Sequence, residues 1–196
     1  MAAHVYLPAL SGGSANDRYA NRLFKVRPDG GGQQAICPVQ PWRPALFGFV
    51  QELSWRSDGT RLLVAMTARG VWHLALLSPS TGKFSVPFDG LDLTWGTWSP
   101  SGSRIAAGAA KLWPGAPSAP YRLLVMDPSG TSRTLLAQTA GAGFLDAATW
   151  SPDSAWIACA VSDDDGSHEL RIVSVNTKKV LTIAEGVREP AWCPRL

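Results

Sequence analysis

The stretch "ATWSPDSAWIACAVS" at residues 148–162 places a tryptophan directly before a Ser-Pro-Asp turn, and an apolar run follows the turn. The same order recurs in "LSWRSDGTRLLVAMT" (53–67), "GTWSPSGSRIAAGAA" (96–110) and "PAWCPRL" (190–196). The tryptophans, spaced about 42 to 52 residues apart, are Trp55, Trp98, Trp150 and Trp192. Self-similarity at such a period indicates a repeat architecture in which each repeat is one supersecondary unit.

Each repeat predicts four short β-strands, which we name a to d in chain order. Strand a ends at the tryptophan, and Pro, Gly and Asp then form a tight turn. The apolar run after the turn, as in "WIACAVS" (156–162), is nearly continuous, which is typical of a strand covered on both faces. Two further runs around a polar turn predict a hairpin of strands c and d, as in "ELRIVSVNTKKVLTIAE" (169–185) and in "VWHLALL" (71–77) with "KFSVPF" (83–88). Such sheets bury both faces only by stacking around an axis, so we expect the tryptophan to fill the wedge between neighbouring sheets.

Composition places the chain among globular proteins. Hydrophobic residues make up 45% of its 196 residues and charged residues 17%, which is too apolar for a disordered chain. The net charge of +3 is small and the basic residues are not clustered, which argues against nucleic-acid binding. No segment has the length of a membrane span, and the first ten residues do not resemble a signal peptide, so we expect a soluble, cytoplasmic protein.

The W-S-P-D-G turn followed by an apolar strand resembles the TolB-type β-propeller repeat, also called the WD40-like propeller repeat. The resemblance covers nearly the whole chain, although the copy at Trp55 lacks the proline and the copy at Trp150 lacks the glycine. It implies an all-β fold of about four four-stranded blades in a single domain, 1–196, and a general binding role. It does not imply a reaction.

The two ends of the sequence match complementary parts of one blade. Residues 4–10 and 22–39 fit strands b, c and d, whereas "REPAWCPRL" (188–196) fits a strand a. We therefore expect the C-terminal strand to complete the first blade. The chain can close alone as four blades, pair with a second chain as an eight-bladed homodimer, or remain an open fragment with exposed edges. The blade type, which the resemblance associates with larger rings, favours the paired or incomplete ring.

The search for catalytic chemistry gives no candidate residue. The sequence has no G-x-S-x-G, Walker A, H-E-x-x-H or G-x-G-x-x-G motif, so we expect no catalytic site and no cofactor. Its three histidines, at positions 4, 73 and 168, are far apart, and its three cysteines, at 37, 159 and 193, have no metal-ligand spacing. Asp163, Asp164 and Asp165 are consecutive, and consecutive side chains do not converge as calcium ligands do, so we predict no metal site.

The long connections supply the candidate binding residues. In this topology the b–c and d–a connections share one face of the ring, and the long ones are 11–20, 40–51, 111–120 and 138–147. Exposed aromatic residues and Arg anchor many interfaces. We therefore predict partner-binding loops that carry Tyr19, Trp42, Arg43, Phe47, Phe49 and Trp113. The sequence favours a non-enzymatic protein-interaction scaffold. The alternative is a small-ligand, glycan-binding or hydrolytic propeller with its site at the mouth of the ring.

Overall fold

The computed structural model describes residues 2–3, 24–25, 27, 29–32, 34–35, 47–68, 71–88, 90, 92–110, 120–139, 141, 143–162 and 166–193. Within these residues every regular element is a β-strand, and no helix could span a membrane. The strands are β1 (Ala2–Ala3), β2 (Phe24–Lys25), β3 (Gln34–Ala35), β4 (Phe47–Trp55), β5 (Leu62–Ala68), β6 (Val71–Leu77), β7 (Phe84–Ser85), β8 (Leu93–Trp98), β9 (Ile105–Ala109), β10 (Arg122–Met126), β11 (Arg133–Gln138), β12 (Phe144–Trp150), β13 (Trp156–Ser162), β14 (His168–Ser174) and β15 (Val180–Glu185).

The strands form separate antiparallel sheets in the order of the repeat. The first sheet is β1-β2-β3, the second β4-β5-β6-β7, the third β8-β9-β10-β11 and the fourth β12-β13-β14-β15. Each four-stranded sheet is a meander in which the predicted strands a, b, c and d pair with their chain neighbours. The four-strand unit predicted from the sequence is thereby confirmed for the second, third and fourth sheets.

The turn after each tryptophan closes on itself through backbone hydrogen bonds. Ser99 N donates to Arg104 O at 2.9 Å, and Ser151 N donates to Trp156 O at the same distance. The left-handed position of this turn is taken by Gly102 in the third sheet (φ 68°) and by Ser154 in the fourth (φ 61°). The missing glycine of the fourth repeat therefore changes the residue but leaves the shape of the turn intact.

Alternate residues of each sheet face opposite neighbours, and this alternation builds one core between each pair of sheets. The core between the second and third sheets contains Trp98, which is 5% exposed, together with Leu63, Leu74, Ile105 and Met126. The core between the third and fourth sheets contains Trp150, also 5% exposed, with Leu123, Val125, Ile157 and Val173. Both tryptophans therefore lie in the wedge that the sequence predicted for them.

At two positions the indole N–H of a tryptophan bonds to a backbone carbonyl of the preceding sheet. Trp150 Nε1 donates to Thr97 O at 3.3 Å, and Trp192 Nε1 donates to Thr149 O at 3.0 Å. In both pairs the acceptor is the residue just before the preceding tryptophan of the repeat. Trp98 differs: its indole nitrogen is buried without a partner, and its backbone N–H instead donates to the Ser54 hydroxyl oxygen at 2.9 Å.

Several boundaries differ from the sequence prediction. Residues 47–51, expected in a loop, belong to β4, where register shifts on both sides of Val50 let the strand continue. Residues 144–147, also expected in a loop, belong to β12. The described strand b of the first sheet is Ala2–Ala3, and the predicted run 4–10 lies outside the described residues. The sequence predicts a strand a over 188–196, but its described part, 188–193, forms no strand, because no described strand pairs with it.

Candidate interaction surface

The rim formed by the tryptophan turns is tied together from sheet to sheet. Arg56 Nε donates to Gly102 O at 2.9 Å, and the guanidinium carbon lies 5.6 Å from the centre of the Trp98 ring. One sheet further on, Ser101 N donates to the Ser154 hydroxyl at 3.2 Å. Arg56 occupies the place that Ser99 and Ser151 hold in the next two repeats. The irregular copy of the motif thus provides a contact between sheets.

The opposite rim carries the long connections and exposes apolar side chains at its strand ends. Phe144, the first residue of β12, is 54% exposed, and Val71, the first residue of β6, is 40% exposed. The ring of Phe144 lies 5.9 Å from that of Tyr121, which is buried. A large apolar side chain held at a strand end beside a buried ring is preorganised for contact, since it need not be ordered on binding.

The predicted site residues divide between the described and undescribed parts of this rim. Tyr19, Trp42, Arg43 and Trp113 lie outside the described residues. Phe47 and Phe49 lie in β4, with Phe47 at its first position, so they belong to the sheet and not to a free loop. The sequence did not single out Phe144, although it follows a glycine-containing connection and starts a strand a as Phe47 does.

Two further polar features lie in the second and fourth sheets. Burial raises the pKa of Glu52, which lies on β4, the innermost strand of the second sheet. A carboxyl shifted by burial is a marker of functional sites, because it is kept ready to hold a proton. In the fourth sheet the His168 Nδ1 atom lies 2.7 Å from the Ser162 hydroxyl, and Arg188 contacts its Nε2 atom.

Arginine only donates, so His168 Nε2 accepts from Arg188, and the ring proton on Nδ1 points to Ser162. In this tautomer the imidazole cannot take the Ser162 proton as a general base would. The trio therefore fastens Arg188 to the sheet. No group of three His, Cys, Asp or Glu side chains with metal-binding geometry occurs among the described residues, which exclude the three consecutive aspartates.

Cys159 is predicted to be unreactive in the folded protein. It is 1% exposed, and burial raises the pKa of its thiol to about 12, an effect that the nearby Arg171 only partly offsets. Since the thiolate is the reactive form, a chain carrying Cys37→Ser and Cys193→Ser should bind no thiol reagent until denaturant is added. Rapid labelling of that chain under native conditions, measured by mass spectrometry, would contradict the buried placement of β13.

This geometry is similar to that of several solved structures. The chain matches an oligogalacturonate lyase in complex with manganese at a TM-score of 0.63, with 13% identity over 87% of this chain and 48% of that one. It matches a protein assigned as TolB from Agrobacterium tumefaciens at 0.65, with 13% identity over 84% and 56%. It matches a chain of a nidogen/laminin complex at 0.62, with 11% identity over 84% and 59%.

These similarities show the fold, which is of the TolB-like β-propeller type. Identities this low carry no information on activity. The chain spans about half the length of these solved structures. No family model matches the sequence, and no curated protein matches it.

Proposed function

We propose that the protein is a non-enzymatic scaffold that binds a protein partner through its loop-bearing rim. The observation that carries the proposal is the contrast between the two rims. The tryptophan turns are short and joined to one another by hydrogen bonds, whereas the opposite rim carries Phe144, the large apolar residue that is most exposed at the end of a described strand. In such an architecture the binding residues usually lie on loops that a rigid framework holds in place.

The partner-binding residues that we propose are those predicted from the sequence, Tyr19, Trp42, Arg43, Phe47, Phe49 and Trp113, with Phe144 added from the structure. Aromatic residues and Arg dominate binding energy where they are enclosed by a partner. One of the matched structures is a chain of a nidogen/laminin complex, that is, a propeller-type chain with a protein partner. This precedent supports a protein as the partner but does not identify it.

The alternative is a ligand or hydrolytic site at the mouth of the ring. It is favoured by Glu52, whose half-buried carboxyl lies on an innermost strand, and by the match to an oligogalacturonate lyase. On this alternative Glu52 would act as a proton donor or acceptor, because its raised pKa brings it nearer to neutrality.

The test compares protein capture by the immobilised chain and its variants from extract of the cells that make it. Proteins retained by the wild type should be lost with Phe144→Ser or with Trp42→Ala plus Trp113→Ala. They should be kept by Thr60→Ala, which changes an exposed residue of the other rim. Equal capture by all chains would refute the scaffold proposal. Cleavage of oligogalacturonate with added manganese that is lost in Glu52→Gln would establish the alternative.

We further propose a count of four blades, the first of which is completed by residues 188–196. Two contacts already fasten this segment to the fourth sheet, Arg188 with His168 and Trp192 Nε1 with Thr149 O. The first sheet has only strands b, c and d among the described residues. A strand added there would pair backbone groups that an edge leaves open.

Deletion of residues 188–196 should therefore lower the melting temperature by several degrees, whereas loss of an ordinary tail is tolerated. Thermal melting of the truncated and full chains measures the difference. A matched control, Arg188→Ala with Trp192→Ala in the full chain, separates the two known contacts from the proposed strand pairing. The closure proposal is wrong if truncation costs no more than this double substitution.

A further inference from the structure

The fourth sheet has one face that no other described sheet covers. On β13 and β14 the residues that alternate with the buried core point away from the third sheet. Their core-facing neighbours, Ile157 and Val173, are fully buried between the sheets. We call the remaining apolar residues the open face: Trp156, Leu170 and Ile172 are half-buried, whereas Ala158 and Ala160 are 6% and 1% exposed. The polar residues Ser162, His168 and Ser174 share this side of the two strands.

The apolar residues of the open face occupy the same positions through which the second and third sheets pack against the sheet that follows each of them. Strand pairing places Leu74 and Leu76 of the second sheet opposite Ala65 and Leu63, and the third sheet uses Leu123 and Val125 in the same way. These four side chains are between 0% and 7% exposed, because the next sheet covers them. In the fourth sheet the same positions are Leu170 and Ile172, and both are only half-buried.

Trp156 makes the open face more apolar than its counterparts. The second and third sheets place Arg61 and Arg104 at this position, directly before strand b, and both are exposed. The fourth sheet places a half-buried tryptophan there. Aromatic residues are enriched at protein interfaces, and the tryptophan adds apolar area to this face.

The segment after β15 already lies where the inner strand of a further blade would lie. Trp192 Nε1 bonds to Thr149 O as Trp150 Nε1 bonds to Thr97 O one sheet earlier. Residues 187–193 nevertheless form no strand, since no described strand pairs with them. The first sheet lacks the strand that this segment would supply, because its described strands β1, β2 and β3 include no strand a.

We propose that a second copy of this chain docks its first sheet on the open face, where the Trp192 segment supplies the missing inner strand. The reciprocal contact of the partner's fourth sheet then closes the pair around a two-fold axis. The loop-bearing rim takes no part in the contact, so the proposal is independent of the scaffold function.

The mass of the full chain in solution tests the proposal, measured by light scattering over a range of concentrations. We expect twice the mass of one chain. Ile172→Glu should shift the mass to that of a single chain, because burying an unpaired carboxylate is unfavourable. Leu170→Glu, at the position that Leu74 and Leu123 hold in the second and third sheets, should do the same. Leu135→Glu is the matched control, since this apolar residue of β11 is 42% exposed on the third sheet, and the paired mass should persist.

A wild-type chain of single mass at every concentration, or an open series of larger masses, would overturn the proposal. So would a paired mass that persists in a folded Ile172→Glu or Leu170→Glu chain. The far-ultraviolet spectrum establishes which variants are folded, and Ile172→Ser replaces Ile172→Glu if the charged variant does not fold. The Trp42, Trp113 and Phe144 variants should keep the paired mass, so a failure of the scaffold function is recognised separately.

Discussion

Replacing Trp150 by alanine is expected to lower the free energy of unfolding by about 3–5 kcal/mol, as removal of a large core aromatic does. Its side chain is 5% exposed and packs between the third and fourth sheets with Leu123 and Ile157. The substitution also removes the hydrogen bond from its indole to Thr97 O, which joins two neighbouring inner strands. The loss should thus act on the stacking of the sheets as well as on local packing.

Trp98→Ala should show a loss of similar size between the second and third sheets, where Trp98 is equally buried. Denaturant titration measures both variants. The matched control is Phe144→Ala, which removes another aromatic side chain from the same strand as Trp150, but one that is 54% exposed. Its cost should stay below about 1 kcal/mol. Equal losses for Trp150→Ala and Phe144→Ala would show that the tryptophan is not a packing anchor.

Substitution of Gly108 by valine is expected to cost about 3 kcal/mol, at the upper end of overpacking effects. A Cβ atom at this position would lie 2.2 Å from Trp95 Nε1 and 2.7 Å from the Tyr121 ring. Neither ring can move freely, because Trp95 is 6% exposed and donates to Leu145 O at 2.9 Å, and Tyr121 is 5% exposed. The introduced side chain must therefore break the bond to the fourth sheet or separate the strands.

A compensating change at Trp95 checks this explanation of the cost. Gly108→Ala combined with Trp95→Leu should be less destabilised than the sum of the two single variants, since the smaller side chain vacates the space that the new methyl group needs. Additive losses would mean that the two residues do not compete for one volume. The comparison is made by denaturant unfolding of the four chains of the cycle.

The interior of the fourth sheet illustrates what local sequence predicts well. The run "WIACAVS" (156–162) was predicted as a strand, and the structure gives β13 the same bounds. The sequence "VWHLALL" (71–77) agrees equally well with β6. Strand d of the second sheet agrees less well, because only Phe84–Ser85 pairs with β6 out of the predicted 83–88. Pro87 has no N–H to donate to a neighbouring strand, and Phe88 lies in the core, where it is 2% exposed.

The candidate surface was less predictable than the strands. The sequence predicts aromatic members of the long connections, yet Phe47 begins β4. Phe144, which the sequence prediction does not include, is the aromatic residue that the described rim exposes most. Exposure at a strand end depends on how far the neighbouring sheet extends. That quantity is set by packing between segments distant in sequence.

The repeat, the four-strand unit, the tight turns and the burial of Trp98 and Trp150 were all predictable from the sequence, because they follow from local patterns that recur along the chain. Three features required the tertiary structure: Trp95 packs over Gly108 as a second anchor, Arg56 contacts the next turn, and Leu170 and Ile172 are only half-buried. The apolar residues of a sheet look the same in sequence whichever neighbour covers them. Contacts between repeats determine which face is covered and how closely. The pattern within a single repeat does not predict those contacts.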